Sequence, residues 1–277
     1  MSEPIDYEAE YDNRARVPEH PAVIEGWARD AAAFREAHEP LTIAYGDAER
    51  QRLDLFRPAE DTAPAGVMFI HGGYWQALDR SFFSHMARGL LAHGVQVAIP
   101  SYTLAPEARL SHIVEEMRLA AQEMARFDRP LVVAGHSAGG HLAACLLGTN
   151  WRAISSELPE TLVRAAYAIS GLFDLPPLTK TKVNDKLRLD EAEARAMSPL
   201  VWEPAPDLGL VLDAVVGGEE SAEYHRQSRA IVDAWGAKGV TTRYEERPGR
   251  NHFDVIAPLA DPGSDMVARL VVLARAP

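Results

Sequence analysis

The pentapeptide Gly135-His136-Ser137-Ala138-Gly139 places a serine between two glycines where two apolar runs meet. Before it, Pro130-Leu131-Val132-Val133-Ala134 reads as a fully covered strand; after it, Gly140 to Leu147 reads as a helix on the same sheet. A strand-to-helix turn this tight leaves no room for a Cβ beside the serine, and it lifts the hydroxyl above the sheet over a helix N-terminus. That is the setting of a nucleophile in acyl transfer. Upstream, the apolar run Ala65 to Ile70 leads directly into His71-Gly72-Gly73-Tyr74-Trp75. Paired glycines let the backbone bend until successive N–H groups face the point where a substrate carbonyl oxygen becomes an alkoxide. The N–H groups of Gly73, Tyr74 and Ala138 are the expected oxyanion hole, each worth roughly 3 kcal/mol to the transition state. A plain glycine turn is the bland alternative, and it loses ground once the Gly-X-Ser-X-Gly turn follows in the right order.

A serine hydroxyl needs a base, and the base needs a carboxylate to orient it. Of the ten histidines, His252 fits best, because it follows a short strand pattern (240–245) and the loop 247–251 late in the chain. His136 adjoins the serine in sequence, but an elbow residue beside the nucleophile points elsewhere. His71 is expected to brace the oxyanion loop, and His141 lies one turn into the following helix. His20, His38, His85, His93, His112 and His225 read as solvated side chains. No group has metal-ligand spacing, so neither metal nor cofactor is expected. For the acid, the strand pattern 212–216 ends in Gly217-Gly218-Glu219-Glu220-Ser221, and either Glu219 or Glu220 could reach the imidazole. Asp213, inside the strand, and Asp174, after the preceding strand, fit less well. The chain order serine, acid, histidine agrees with an α/β-hydrolase and disagrees with chymotrypsin-like and subtilisin-like orders.

The elements that must carry these groups follow from periodicity. Strand patterns recur near 41–45, 52–57, 66–70, 95–99, 130–134, 163–169, 211–216 and 240–245, with helical patterns between the later ones. The segment from Ser81 to His93, stopped by Gly94, reads as a helix. Another runs from Ser111 to Phe127, with Ile113, Met117, Ala120, Met124 and Phe127 on one face. Alternating strands and helices imply an α/β fold: a mostly parallel, twisted, eight-stranded sheet covered on both faces. The short turn at Gly46-Asp47 predicts an antiparallel edge, and the site belongs at the carboxyl ends of the central strands. Two pieces lie outside this frame. Residues 1–40 form an N-terminal helical extension whose Ile24, Trp27, Ala31 and Phe34 make an apolar stripe; it packs on the body and, on a sharper reading, roofs the site. Residues 172–203 form an excursion between the sixth and seventh strands and are the candidate lid. There Asp190, with Glu193 three residues on, opens a helix. The whole of 1–277 reads as one domain.

His71-Gly72-Gly73-Tyr74-Trp75, Gly135-His136-Ser137-Ala138-Gly139-Gly140-His141, the stretch from Val216 to Ser228 and Asn251-His252-Phe253-Asp254-Val255-Ile256 resemble the kynurenine formamidase (arylformamidase) branch of the α/β-hydrolases. Ser101 to Glu107 is similar to the Tyr-Arg-Leu-Ala-Pro-Glu stretch of the related hormone-sensitive-lipase esterases. The resemblance spans residue 10 onward. It implies that the acid stands four residues before the aromatic of a Glu-Phe or Glu-Tyr pair, which selects Glu220 over Glu219; the family usually has aspartate there. It also implies hydrolysis of N-formyl-L-kynurenine to formate and kynurenine, in tryptophan catabolism.

Chemistry makes that reaction plausible for a Ser137–His252–Glu220 triad. An anilide nitrogen leaves more readily than a peptide nitrogen, and a formyl carbon is the least hindered acyl centre. Tyr74 and Trp75 could supply an aromatic wall for the ring, with core packing as the alternative for Trp75. A carboxylesterase of short acyl esters is the rival from the same residues; a non-catalytic scaffold of this fold is the rival of another class. The net charge of −12 argues against nucleic acid and anionic membranes. A single cysteine, Cys145, excludes disulfides within one copy of the chain and suits a reducing compartment. The acidic stretch Met1 to Asp6 lacks an apolar core, and no run approaches a membrane span, so a cytoplasmic protein is expected. Its expected partner is a small-molecule acyl substrate, with a homodimer as one option for assembly.

Overall fold

The computed structural model of the protein describes residues 4–127, 129–205 and 207–276. Eight strands form one sheet: β1 (Leu41–Ala44), β2 (Arg52–Phe56), β3 (Gly66–Ile70), β4 (Val97–Pro100), β5 (Leu131–His136), β6 (Val163–Ile169), β7 (Val211–Gly217) and β8 (Thr241–Arg247). Their order is β1-β2-β4-β3-β5-β6-β7-β8. The first two strands pair antiparallel, β2 runs antiparallel to β4, and every later pair is parallel. Both faces of the middle strands are apolar and covered, which is why those strands read as unbroken apolar runs. Met68 and Ile70, with Leu131 and Val133, face one core; Val67 and Phe69, with Val132 and Ala134, face the other.

The register brings the carboxyl ends together. Ile70 of β3 lies beside Gly135 of β5, His136 beside Ile169 of β6, and Ile169 beside Val215 of β7. The segments leaving these four strands therefore start from one rim of the sheet.

The segment from Ser81 to His93 is not one helix. It is two 3-10 turns, Arg80–Phe82 and Ser84–Ala87, followed by a single helical turn, Arg88–Leu91. The tighter winding still buries Phe83, Met86 and Leu90 in the core shared with Val67 and Phe69. The N-terminal stripe sits on a helix from His20 to Ala37 that buries Trp27, Ala31 and Phe34. In the excursion after β6, Asp190 caps the helix Glu191–Ala196 by accepting from the Glu193 N–H at 2.8 Å. The Glu193 carboxylate does not return to the cap; it accepts from Ser111 instead, tying the excursion to the neighbouring helix Leu110–Ala125. Among the described residues no helix is long and apolar enough to cross a membrane.

Candidate active site

β5 ends in Ser137, whose backbone (φ 56°, ψ −118°) lies outside the regions that side chains favour, at a cost of roughly 1–3 kcal/mol. The fold holds it there from both sides. The Ser137 N–H donates to the Ile169 carbonyl at 2.8 Å, and its own carbonyl accepts from His141 N–H at 3.1 Å in the elbow helix, Ala138–Leu147. A Cβ on Gly135 would lie 2.0 Å from the Gly139 carbonyl oxygen, and one on Gly139 would lie 2.0 Å from that of Ile70. Both glycines are thus steric requirements of the turn. The buried side chain of Ser137 opens onto a cavity of about 380 Å³.

The loop after β3 closes on the serine. A Cβ on Gly72 would come within 3.0 Å of the Ser137 Cβ. Gly73, Tyr74 and Trp75 all have positive φ, at 109°, 50° and 58°. Among the described residues the N–H groups of Gly73 and Tyr74 donate to no protein acceptor, and both residues line the cavity. Ala138 opens the elbow helix, where the first N–H groups lack intrahelical partners. His71 braces the loop as expected: its ring bonds the Gly72 carbonyl at 2.8 Å and stacks on Tyr102. Burial lowers its pKa to about 4, so it is neutral.

His252 also faces the cavity. Its Nδ1 lies 2.6 Å from Glu220 Oε2. A carboxylate accepts, so Nδ1 is the donor of this pair, and in the neutral ring Nε2 is the nitrogen with the lone pair. The second oxygen of Glu220 is pinned by the Gly217 N–H at 2.7 Å and the Ser170 hydroxyl at 2.5 Å. Glu219 is exposed, and the bond to His252 is made by Glu220. Asp213 and Asp174 are engaged elsewhere, the first with Arg269 and the second with Arg226. His136 donates from Nε2 to the His252 carbonyl at 2.8 Å, and burial, then the neighbouring His252, keep it neutral. The His252 ring lies between His136 and Tyr224, at centroid distances of 4.8 Å and 4.7 Å.

The structure differs from the sequence expectation at two positions. Trp75 is fully buried behind the loop, its ring edge-on to His141, and does not form the cavity wall. The aromatic lining comes from Tyr74, Tyr11, Trp27 and Phe253. His85 is buried, not solvated, because its 3-10 turn faces the core; burial lowers its pKa to about 4. Both outlying segments line the cavity. The N-terminal extension contributes Tyr11, Asn13, Ile24 and Trp27, and the excursion contributes Thr181, Lys182 and Val183.

The rim carries charges of both signs, Glu8 and Asp12 against Arg14, Lys182 and Lys186. Sequence reasoning missed these residues, and also missed Asn13 and Ser170. No local pattern marks them, since each gains its role only when distant segments meet. Tyr224 had a signal: it is the aromatic four residues after Glu220, in the helix Ala222–Gly236 that follows the Glu220 loop.

The sequence matches the α/β hydrolase fold over residues 67–255, and the chain belongs to the α/β-hydrolase family. It lies on the kynurenine formamidase-like branch. It is 31% identical to the kynurenine formamidase of Salmo salar, an alignment covering 80% of this chain and 77% of that one. With the kynurenine formamidase of Drosophila melanogaster the identity is 30%, covering 81% and 78%. A crystal structure from Silicibacter sp., provisionally assigned as a thioesterase, superposes with a TM-score of 0.83 at 36% identity, covering 96% of this chain and 98% of that one. An esterase of the bacterial hormone-sensitive lipase family shares the fold, with a TM-score of 0.67 at 21% identity over 93% and 97% of the two chains. The chain is a hydrolase.

Proposed function

We propose that this hydrolase is an arylformamidase that cleaves N-formyl-L-kynurenine with a Ser137–His252–Glu220 triad. The observation that carries the reading is the Glu220–His252 pair at 2.6 Å, opening onto the same cavity as Ser137 and the unpaired Gly73 and Tyr74 amides. Ser137 Oγ attacks the formyl carbon while His252 Nε2 takes its proton, and the oxygen that gains charge is met by the N–H groups of Gly73, Tyr74 and Ala138. The C–N bond then breaks, the imidazolium returns its proton to the anilide nitrogen, and kynurenine leaves. Water, deprotonated by the same imidazole, attacks the formyl-serine, and formate departs as the serine recovers its proton.

Three features favour this substrate over a simple ester. The named formamidases align over four-fifths of the chain. Tyr11, Trp27, Tyr74 and Phe253 give the cavity rings against which an aryl group packs. The mixed charges of the rim suit the ammonium and carboxylate of an amino-acid head group. A carboxylesterase is the second reading, favoured by the 34% identity to Esterase LipC of Mycobacterium tuberculosis over 77% of this chain. The two separate on kcat/KM for N-formylkynurenine against short p-nitrophenyl esters. The formamidase reading expects N-formylkynurenine to be the better substrate, and ester values higher by orders of magnitude would defeat it.

A further inference from the structure

Tyr74 must hold an unfavourable backbone conformation if its N–H is to face the oxyanion. The Gln76 N–H to Gly73 carbonyl bond at 2.9 Å and the Ala105 N–H to Trp75 carbonyl bond at 2.8 Å fix its two neighbours, and its own side chain supplies the rest. Its φ of 50° follows Gly73 at 109° and precedes Trp75 at 58°. A Cβ on Gly73 would lie 2.4 Å from the Ala77 carbonyl oxygen, so the loop is tightly folded. Non-glycine residues stay in this region only where their surroundings over-determine them.

The surroundings here are a chain of buried hydroxyls anchored on the N-terminal extension. The Tyr74 hydroxyl donates to the Tyr11 carbonyl at 2.6 Å, and that spends its only proton. The 2.7 Å contact between the Tyr74 and Tyr224 hydroxyls must then be a donation from Tyr224. Asn13 supplies two further donors, its Nδ2 reaching the Tyr224 oxygen at 2.8 Å and the Tyr74 oxygen at 3.3 Å, and the Ser137 side chain also bonds the Tyr224 hydroxyl. Burial pushes the Tyr74 and Tyr224 phenols well above their ordinary pKa, so both keep the protons this count requires. The anchor is itself fixed. Tyr11 donates to Glu223 at 2.9 Å and accepts from Gln227 at 2.9 Å, and the Glu223 N–H donates to Glu10 at 2.9 Å. Asn13 is buried although it belongs to a single helical turn near the start of the chain.

We infer that Asn13 and Tyr224 are positioning residues: they clamp the Tyr74 hydroxyl and thereby hold the Tyr74 N–H at the oxyanion. The N-terminal extension is then a working part of the site, beyond lining the cavity. This inference rests on the serine-hydrolase reading above. A residue acting this way affects the charged tetrahedral state more than the bound substrate.

The test uses the whole chain with two substitutions. One is Asn13→Ala, since among the described residues the Asn13 side chain reaches only the Tyr74 and Tyr224 hydroxyls. The other is Tyr224→Phe, which keeps the ring on His252 but also removes the oxygen bonded to Ser137. The substrate is p-nitrophenyl acetate, and the probe of the tetrahedral state is an aryl trifluoromethyl ketone that adds to Ser137. For each variant kcat should fall by about tenfold or more while KM stays within about threefold, and trifluoromethyl ketone affinity should fall with kcat. The double variant should lose little beyond the worse single one, because both break the same clamp. A folded Asn13→Ala or Tyr224→Phe variant with kcat and inhibitor affinity within twofold of the parent overturns the inference, as does a rise in KM at unchanged kcat. A loss confined to Tyr224→Phe belongs to its bond with Ser137 and overturns it too. Ser137→Ala separates this failure from that of the wider reading. If Ser137→Ala is inactive while the clamp variants match the parent, only the inference falls; if Ser137→Ala retains activity, the triad itself is wrong.

Discussion

Replacing Glu220 by glutamine probes the acid assignment in a way that depends on two hydrogen bonds away from the histidine. The side chain keeps its shape, but one oxygen becomes an NH₂ group. Oε1 accepts from the Gly217 N–H at 2.7 Å and the Ser170 hydroxyl at 2.5 Å, and an NH₂ group cannot accept from a backbone N–H. The amide oxygen must therefore occupy that side, which turns the NH₂ towards His252 Nδ1, now 2.6 Å from Oε2. Nδ1 has to become the acceptor, and the ring proton moves to Nε2. The imidazole then presents a donor to Ser137 and cannot take its proton. Loss of the correct tautomer in a triad of this kind costs about 10⁴-fold in kcat, equivalent to about 5.5 kcal/mol of barrier. Stopped assays with N-formylkynurenine and p-nitrophenyl acetate should both report that loss, with KM little changed. Glu219→Gln, an exposed change, should stay within about twofold of the parent. The reasoning is refuted if Glu220→Gln keeps more than a tenth of the activity while Ser137→Ala is dead, or if Glu219→Gln is equally damaging.

Two further outcomes follow from packing and burial. Gly139→Ala would set a Cβ 2.0 Å from the Ile70 carbonyl oxygen and 2.8 Å from that of His71, both of them backbone atoms that cannot move aside. It should destabilise the protein by about 3 kcal/mol or more and lower Tm by roughly 5–10 °C, and an unchanged melting curve would contradict the close approach. Burial lowers His71, His85 and His141 to a pKa of about 4, below the 6.5 of an unconstrained imidazole. Acid therefore protonates the unfolded chain first, so their contribution is intact above about pH 6.5 and declines towards pH 4, by about 1.4 kcal/mol per pH unit for each ring. Urea titrations at pH 7.5, 6.5, 6.0 and 5.5 should show that decline, and a stability independent of pH over this window would disprove the burial of these rings.

The parts of the site legible in the sequence are those whose chemistry and geometry are set by neighbours in the chain. Gly135, Ser137 and Gly139 announce themselves because the turn forbids a Cβ at the flanking positions, and the same holds for Gly73 beside Tyr74. The strands were legible because a sheet covered on both faces needs continuous apolar runs, and the antiparallel edge because only a short turn joins β1 to β2. The acid was harder. Glu219 and Glu220 are adjacent and chemically equivalent, and what separates them is the loop: the Glu219 N–H is tied to the Arg250 carbonyl at 3.0 Å, leaving Glu220 to turn inward over Gly217. Trp75 shows the converse limit. Adjacency to Tyr74 suggested a shared wall, yet the backbone twist at these two residues sends one ring to the cavity and the other into the core against His141. Asn13 was illegible for a deeper reason. An asparagine followed by a polar run resembles any solvated helix start, and its amide gains meaning only from Tyr74, 61 positions away, and Tyr224, 211 positions away. A clamp of this kind leaves no periodic trace, because it consists of unlike groups meeting once. Local sequence therefore specifies which groups can react, whereas the contacts that hold those groups in unfavourable conformations are written across the whole chain.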